Sequence, residues 1–222
     1  MATRWASFDC YGTLVDWNAG IRSELTRLFG APDADRFLSL YHELEPRIQE
    51  DHPTLPYRDV MAAVLAELAR EQAVELPAAE ADALGRSLPS WSAFAEVPDE
   101  LRAVRERGWR LAILSNADRD LLQASIERIG IPFEVTIAAS QIGSDKPARG
   151  HWDAFAERTA SDARLHVHVA ASLYHDIAPA AQLGIPAIWI NRLGEESDLP
   201  RAAELADLRG LADALDRAEL RQ

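Results

Sequence analysis

Four short stretches of this 222-residue chain set reactive side chains beside turn residues. The first is Phe8-Asp9-Cys10-Tyr11-Gly12-Thr13-Leu14-Val15-Asp16. A carboxylate at the end of an apolar run, followed by a Gly turn and a hydroxyl, offers a nucleophile with backbone donors around it. An Asp that only caps the following turn has the same local pattern. The second, Leu114-Ser115-Asn116-Ala117-Asp118, puts a Ser where its hydroxyl and adjacent N–H groups can hold an anion at a helix start. A plain helix cap would read the same way. The third, Ser144-Asp145-Lys146-Pro147, carries a Lys that in an ordinary loop would be solvated; beside a carboxylate its ammonium would keep that group ionised. The fourth, Val169-Ala170-Ala171-Ser172-Leu173-Tyr174-His175-Asp176-Ile177, supplies a hydroxyl and a second acid.

Buried strands must position these groups. Apolar runs at Trp5–Phe8, Leu111–Leu114, Val135–Ala138, Leu165–Ala170 and Ala187–Ile190 are near-continuous, as in parallel strands covered on both faces. Helical stretches such as Arg119–Ile129 and Trp152–Arg158 separate the later runs, which predicts a doubly wound α/β sheet. Reactive groups in such sheets collect at the carboxyl ends of the strands. Between the first two strands, from about Asp16 to Ala95, the chain reads as helix after helix. Ile21, Leu25 and Leu28 recur at helical spacing, as do Val60, Val64, Leu65 and Leu68. Breaks are expected at Leu76-Pro77 and at Leu88-Pro89-Ser90. An insert of this size is too long for a loop, so a helical cap over residues 16–95 is expected on a core of residues 1–15 and 96–222. It would exclude water and shape a pocket.

Taken together and in order, the four stretches resemble the motifs of the haloacid dehalogenase superfamily. The tail Ala180-Ala181-Gln182-Leu183-Gly184-Ile185-Pro186, leading to Trp189-Ile190-Asn191-Arg192, is also similar to that superfamily's last helix and strand. The resemblance implies a Rossmann-like core with an inserted cap. It also implies Asp9 as the nucleophile, Lys146 paired with it, and Asp176 orienting or deprotonating water.

Two departures bear on the reaction. Superfamily phosphatases carry Asp-x-Asp in the first motif, the second Asp being the general acid; here Tyr11 stands in its place, and a phenol with a pKa near ~10 is a poor acid at neutral pH. They also show Gly-Asp-Ser in the fourth motif, where this chain has Ala171 before Ser172, removing a carboxylate from the expected magnesium shell. Halide leaves carbon without protonation, so neither group is needed for dehalogenation. The chain looks like the 2-haloacid dehalogenase branch, which implies a small anionic substrate and neither metal nor cofactor. Tyr11, Thr13, Ser115, Asn116, Trp152 and Ser172 would then contact substrate or ester, Trp152 standing where many members have Tyr. That branch carries a cap arginine near the halide and carboxylate; here Tyr41 and His42 fall near its position, and its role is assigned to neither Arg47 nor Arg58. A phosphatase with a weak magnesium site at Asp9 and Asp176, and a protein that has lost turnover, are the alternatives.

His175 is expected to pack or point outward, as a lone His beside a motif usually does. His166 and His168 alternate on one strand, share a face, and read as structural rather than metal-binding. Cys10 reads as buried and small. Trp17 reads equally as a pocket wall and as hinge packing. The formal charge of −13 argues against nucleic acid, and no apolar run approaches the ~20 residues of a membrane span. With one cysteine and no apolar leader in Met1–Phe8, the expected compartment is the cytoplasm. A homodimer stays open.

Overall fold

The computed structural model describes residues 3–53, 55–161 and 165–219. The outermost residues of the expected core, before 3 and after 219, lie outside these. Among the described residues, six strands form one parallel sheet in the order β3-β2-β1-β4-β5-β6. They are β1 (Arg4–Phe8), β2 (Trp109–Ser115), β3 (Val135–Ala138), β4 (His166–Ala170), β5 (Ala187–Ile190) and β6 (Ala203–Leu205). Phe8 pairs with Ile113 on one side and Val169 on the other. The chain winds outward in both directions from β1, so β1 lies at the switch point where such sheets open a crevice. The doubly wound α/β expectation holds. The edge strand β6 was not foreseen, because Ala203-Glu204-Leu205 is too short and too polar to stand out as an apolar run.

Between β1 and β2 come α1 (Trp17–Phe29), α2 (Ala34–Asp51), α3 (Tyr57–Glu71) and α4 (Ala83–Ser87). Asp16 caps α1, its carboxylate accepting the Ala19 N–H at 3.0 Å. Ile21, Leu25, Val60, Val64, Leu65 and Leu68 are all buried, the helical periodicity having marked the inward face. Short 3₁₀ turns stand at the two expected breaks. Gly20 is fixed by a close approach: a Cβ there would meet the Trp91 ring at 2.3 Å. The chain leaves and rejoins the sheet through two adjacent segments. The Phe94 N–H donates to Leu14 O at 3.0 Å, the Asp16 N–H donates to Ser92 O at 2.9 Å, and Val15 bridges Ala93.

The remaining helices flank the sheet: α5 (Val97–Glu106), α6 (Arg119–Ile129), α7 (Ala139–Ile142), α8 (Gly150–Thr159), α9 (Ala178–Gln182) and α10 (Leu211–Glu219). Helix α6 ends on Gly130 in the left-handed conformation, φ +73°. Its buried Leu121, Leu122 and Ile129 each contribute about 1.5–3 kcal/mol by leaving water.

Candidate active site

Asp9 follows β1 directly and is buried, and Gly12 turns the chain behind it at φ +84°, a conformation open to glycine at no steric cost. That turn brings Thr13 back onto the carboxylate, its hydroxyl donating to Asp9 Oδ2 at 2.8 Å and accepting the Ala171 N–H at 2.9 Å. Asp9 Oδ1 accepts from Lys146 Nζ at 2.9 Å. The same ammonium donates to Asp176 Oδ1 at 2.6 Å and to Leu114 O at 3.0 Å. All three donors of a buried Lys are thereby used. Asn116 aligns the lysine through its backbone, its amide donating to Lys146 O at 2.8 Å and accepting the Lys146 N–H at 2.7 Å.

Burial alone would lower the Lys146 ammonium, but Asp176 and Asp9 outweigh it and hold it above its ordinary range. Burial would likewise raise Asp176; Lys146, then His168, more than offset this and keep its carboxyl below the usual range. His168 Nε2 lies 2.9 Å from Asp176 Oδ1, His168 Nδ1 lies 2.8 Å from Ser7 Oγ, and Ser7 Oγ lies 2.6 Å from His166 Nε2. One proton assignment satisfies all three bonds: His166 donates to Ser7, Ser7 to His168, and His168 to Asp176. Burial pushes His166 down to about 3, so it is neutral and suited to that chain.

His168→Leu is expected to raise the Asp176 pKa and move the acidic limb of the pH–rate profile upward. Loss of one charge-assisted hydrogen bond, about 1.5–3 kcal/mol, corresponds to a roughly ten- to hundredfold lower kcat. A depressed carboxyl pKa stabilises the fold above the unfolded value and ceases to do so as pH falls; the variant therefore gives up part of its neutral-pH stability. His168→Gln, which keeps an N–H donor, should recover much of both. An unchanged pH profile in the Leu variant would remove His168 from this role.

These groups open on a cavity of about 610 Å³. Asp9, Tyr11, Ser115, Asn116, Lys146, Ser172 and Asp176 all line it, so the structure gathers most of the residues read from the sequence. Two readings need correction. Trp152 does not reach the cavity: it is buried beneath the sheet with Trp5 and Phe155, its ring edge-on to His168 at 5.6 Å. Residues 152 and 155 lie one turn apart on the inward face of α8, and that periodicity marks core. Thr13 also lies behind the cavity wall, where it serves the nucleophile rather than substrate. Asn116 lines the cavity; its oxygen and one N–H hold the Lys146 backbone, which leaves the second N–H of its amide. Ser172 caps the turn Leu173–Ile177 by accepting the His175 N–H at 3.0 Å.

His175, expected to pack or point outward, lines the cavity. Trp17 lines the cavity, the first of the two readings weighed for it, and packs edge-on against Tyr41 of α2 at 5.6 Å. Cys10 is buried as expected. Tyr11 bonds Ser125 Oγ at 3.0 Å, and burial pushes its phenol well above its ordinary range, so it is no acid near neutral pH. Arg58 is paired with Asp118 and Asp120 away from the cavity. The residues that sequence reasoning missed are Glu45, Tyr57 and Arg192. Arg192 stands two residues beyond the end of β5, at the carboxyl edge of the sheet, and that position was its available signal. It donates to Thr13 O at 2.9 Å and Glu96 Oε1 at 2.7 Å while lying 3.5 Å over the Phe94 ring.

A magnesium ion wants several free oxygen ligands. Here Asp9 is committed to Lys146 and Thr13, Asp176 Oδ1 to Lys146 and His168, and position 171 is Ala. Of the four oxygens of Asp9 and Asp176, the one that accepts no hydrogen bond is Asp176 Oδ2, buried without a partner. One free oxygen beside an ammonium does not fit a hard dication. No group of three or more His, Cys, Asp or Glu at ligand spacing occurs among the described residues. No helix among them is long and apolar enough to cross a membrane.

The (S)-2-haloacid dehalogenase of Pseudomonas sp. (strain YL) is 28% identical over 130 residues, 56% of each chain. The ribulose-1,5-bisphosphate 5-phosphatase of Halopiger xanaduensis is 30% identical over 141 residues, 60% of this chain and 59% of that one. The chain thus aligns with a little over half the length of these curated relatives. The crystal structure of an L-2-haloacid dehalogenase superposes with a TM-score of 0.86 at 24% identity, covering 97% of this chain and 100% of that one. A family model for haloacid dehalogenase-like hydrolases matches residues 3–184. With the sheet order, the Asp9–Lys146–Asp176 bridge and this match in agreement, the chain belongs to the haloacid dehalogenase-like hydrolases.

Proposed function

We propose that the protein is a hydrolase that displaces halide from the 2-position of a haloacid through an ester on Asp9. One observation carries the reading: Asp9 and Asp176 share Lys146 in a single cavity, and the residue at the general-acid position, Tyr11, is a raised phenol held on Ser125. An Asp9 carboxylate oxygen forms a bond to the substrate's second carbon, and the carbon–halogen bond breaks with its electron pair leaving on the halide. That leaving group needs no proton. Water, aligned by Asp176 Oδ2, then attacks the Asp9 carboxyl carbon while its proton passes to Asp176. The acyl–oxygen bond breaks, the 2-hydroxy acid departs with a proton, and Asp9 keeps one oxygen from water. Ser115 and Arg192 supply donors for the substrate carboxylate, and residues 16–95 act as a cap that excludes water.

The test is chloride release from 2-chloropropionate and a panel of short 2-haloacids with chelator present, run in H₂¹⁸O. Release is expected, with ¹⁸O appearing in Asp9 after a single turnover. No halide from any member, together with magnesium-dependent hydrolysis of p-nitrophenyl phosphate, would replace this reading with phosphate transfer.

A further inference from the structure

The outer wall of the cavity differs in chemistry from the floor around Asp9. It is contributed by α1, α2 and α3, and among the described residues no arginine or lysine of these helices lines it. Glu45 stands there instead. The Trp17 Nε1–H donates to the Tyr57 hydroxyl at 2.7 Å, and that hydroxyl donates to Glu45 Oε1 at 2.9 Å. Glu45 Oε2 accepts no hydrogen bond, and Glu45 forms no ion pair among the described residues. The aromatic residues beside it pair with one another: Trp17 stacks on His42 with centroids 5.2 Å apart, and Tyr57 stacks on Tyr11 at 6.2 Å.

We propose that Trp17, His42, Glu45 and Tyr57 form a subsite for an alkylammonium group, so that the substrate is an extended 2-haloacid with a positive charge at its far end. The assignment deepens the haloacid reading above and rests on it for the reacting end. A half-buried carboxylate loses part of its hydration; the Tyr57 hydroxyl replaces some of it, but no cation among the described residues offsets the charge. Burial accordingly holds the Glu45 carboxyl up at about 7. The groups facing it supply no positive charge: Trp17 and Asn18 come from α1, Tyr57 from α3, and Tyr41, His42 and Gln49 from its own helix. His42 is itself lowered by burial. An ammonium on Glu45 Oε2 would supply the missing opposite charge, in a part of the cavity lined by the aromatic side chains of Trp17, His42 and Tyr57. Size agrees, since 610 Å³ lies within the roughly 300–1,000 Å³ of sites that enclose ligands far larger than a three-carbon acid.

Three product-like ligands of equal length separate the alternatives: 2-hydroxy-6-aminohexanoate, 2-hydroxyheptanoate and 2-hydroxyadipate, ending in ammonium, methyl and carboxylate. Their affinities for the native protein, measured by titration calorimetry, need no turnover, so this order stands or falls independently of the halide assay. The ammonium ligand is expected to bind about tenfold tighter than the methyl one, with the carboxylate ligand weakest. In Glu45→Gln the ammonium advantage should shrink to within about twofold, the methyl ligand binding as before and so reporting an intact pocket. Equal binding of ammonium and methyl ligands, tightest binding of the carboxylate, an unchanged order in Glu45→Gln, or no binding at all would each overturn the proposal.

Discussion

Asp9→Asn should cost about 10⁴-fold or more in kcat, with the fold as stable as before or slightly more so. Removing a covalent nucleophile leaves only binding and electrostatic contributions to catalysis. The amide has the shape of the carboxylate: its oxygen can accept from Lys146 where Oδ1 does, and its NH2 can donate to the Thr13 hydroxyl oxygen from the position Oδ2 occupies. Lys146 keeps Asp176 and Leu114 O as partners, so no charge is stranded. Functional sites commonly sacrifice stability for reactivity, and neutralising one of two carboxylates crowded on one ammonium relieves some of that. Parallel kcat and thermal-melt measurements check this. Retention of more than about a tenth of the activity would remove Asp9 as nucleophile, whereas a large fall in Tm would point to a structural role.

Lys146→Met is the more damaging change to the molecule itself. The side chain is 1% exposed and holds two carboxylates that are 11% and 1% exposed. Breaking a buried charge network by removing one partner costs about 3–5 kcal/mol, because uncompensated charge stays behind. Two carboxylates left facing each other would share a proton. Their folded pKa values then rise above the unfolded ones, so the variant is least stable at neutral pH and regains stability as pH falls toward about 5. The native protein runs the other way: its depressed Asp176 stabilises the fold above the unfolded carboxylate pKa and stops doing so in acid. Denaturant melts across that range should show the gap between the two narrowing as pH falls. A gap independent of pH would mean that packing around the lysine stem, rather than its charge, dominates.

The strands that carry Asp9, Ser115 and Asp176 were legible because buried parallel strands announce themselves as apolar runs. Val135–Ala138 and Ala187–Ile190 match observed strands end for end, as Arg119–Ile129 matches its helix. Lys146 was legible only through its neighbours in the motif, since nothing about an isolated loop lysine foretells three buried acceptors. What the sequence concealed were arrangements fixed by tertiary packing. Trp152 looked available because of its spacing from Lys146, but α8 turns it under the sheet. His166 and His168 were placed on one face correctly; that Ser7 on the neighbouring strand joins them into a chain ending on Asp176 depends on strand pairing. Glu45 and Tyr57 come from helices α2 and α3, and side chains from two different helices meet through packing that local periodicity does not encode.

The paired segments Leu14–Asp16 and Ser92–Phe94 carry a further consequence. Because departure and return are stitched side by side, the whole excursion from Trp17 to Trp91 is a ring closed at its base. The entropy of closing such a ring grows only logarithmically, each doubling of its length adding about 0.6 kcal/mol. The exposed connections between the helices of the roof over Asp9 can therefore be lengthened or shortened at little cost in closure entropy, and the stitch leaves the floor in register. Natural or laboratory variation can thus redraw what the enclosure admits while the chemistry beneath it stays fixed.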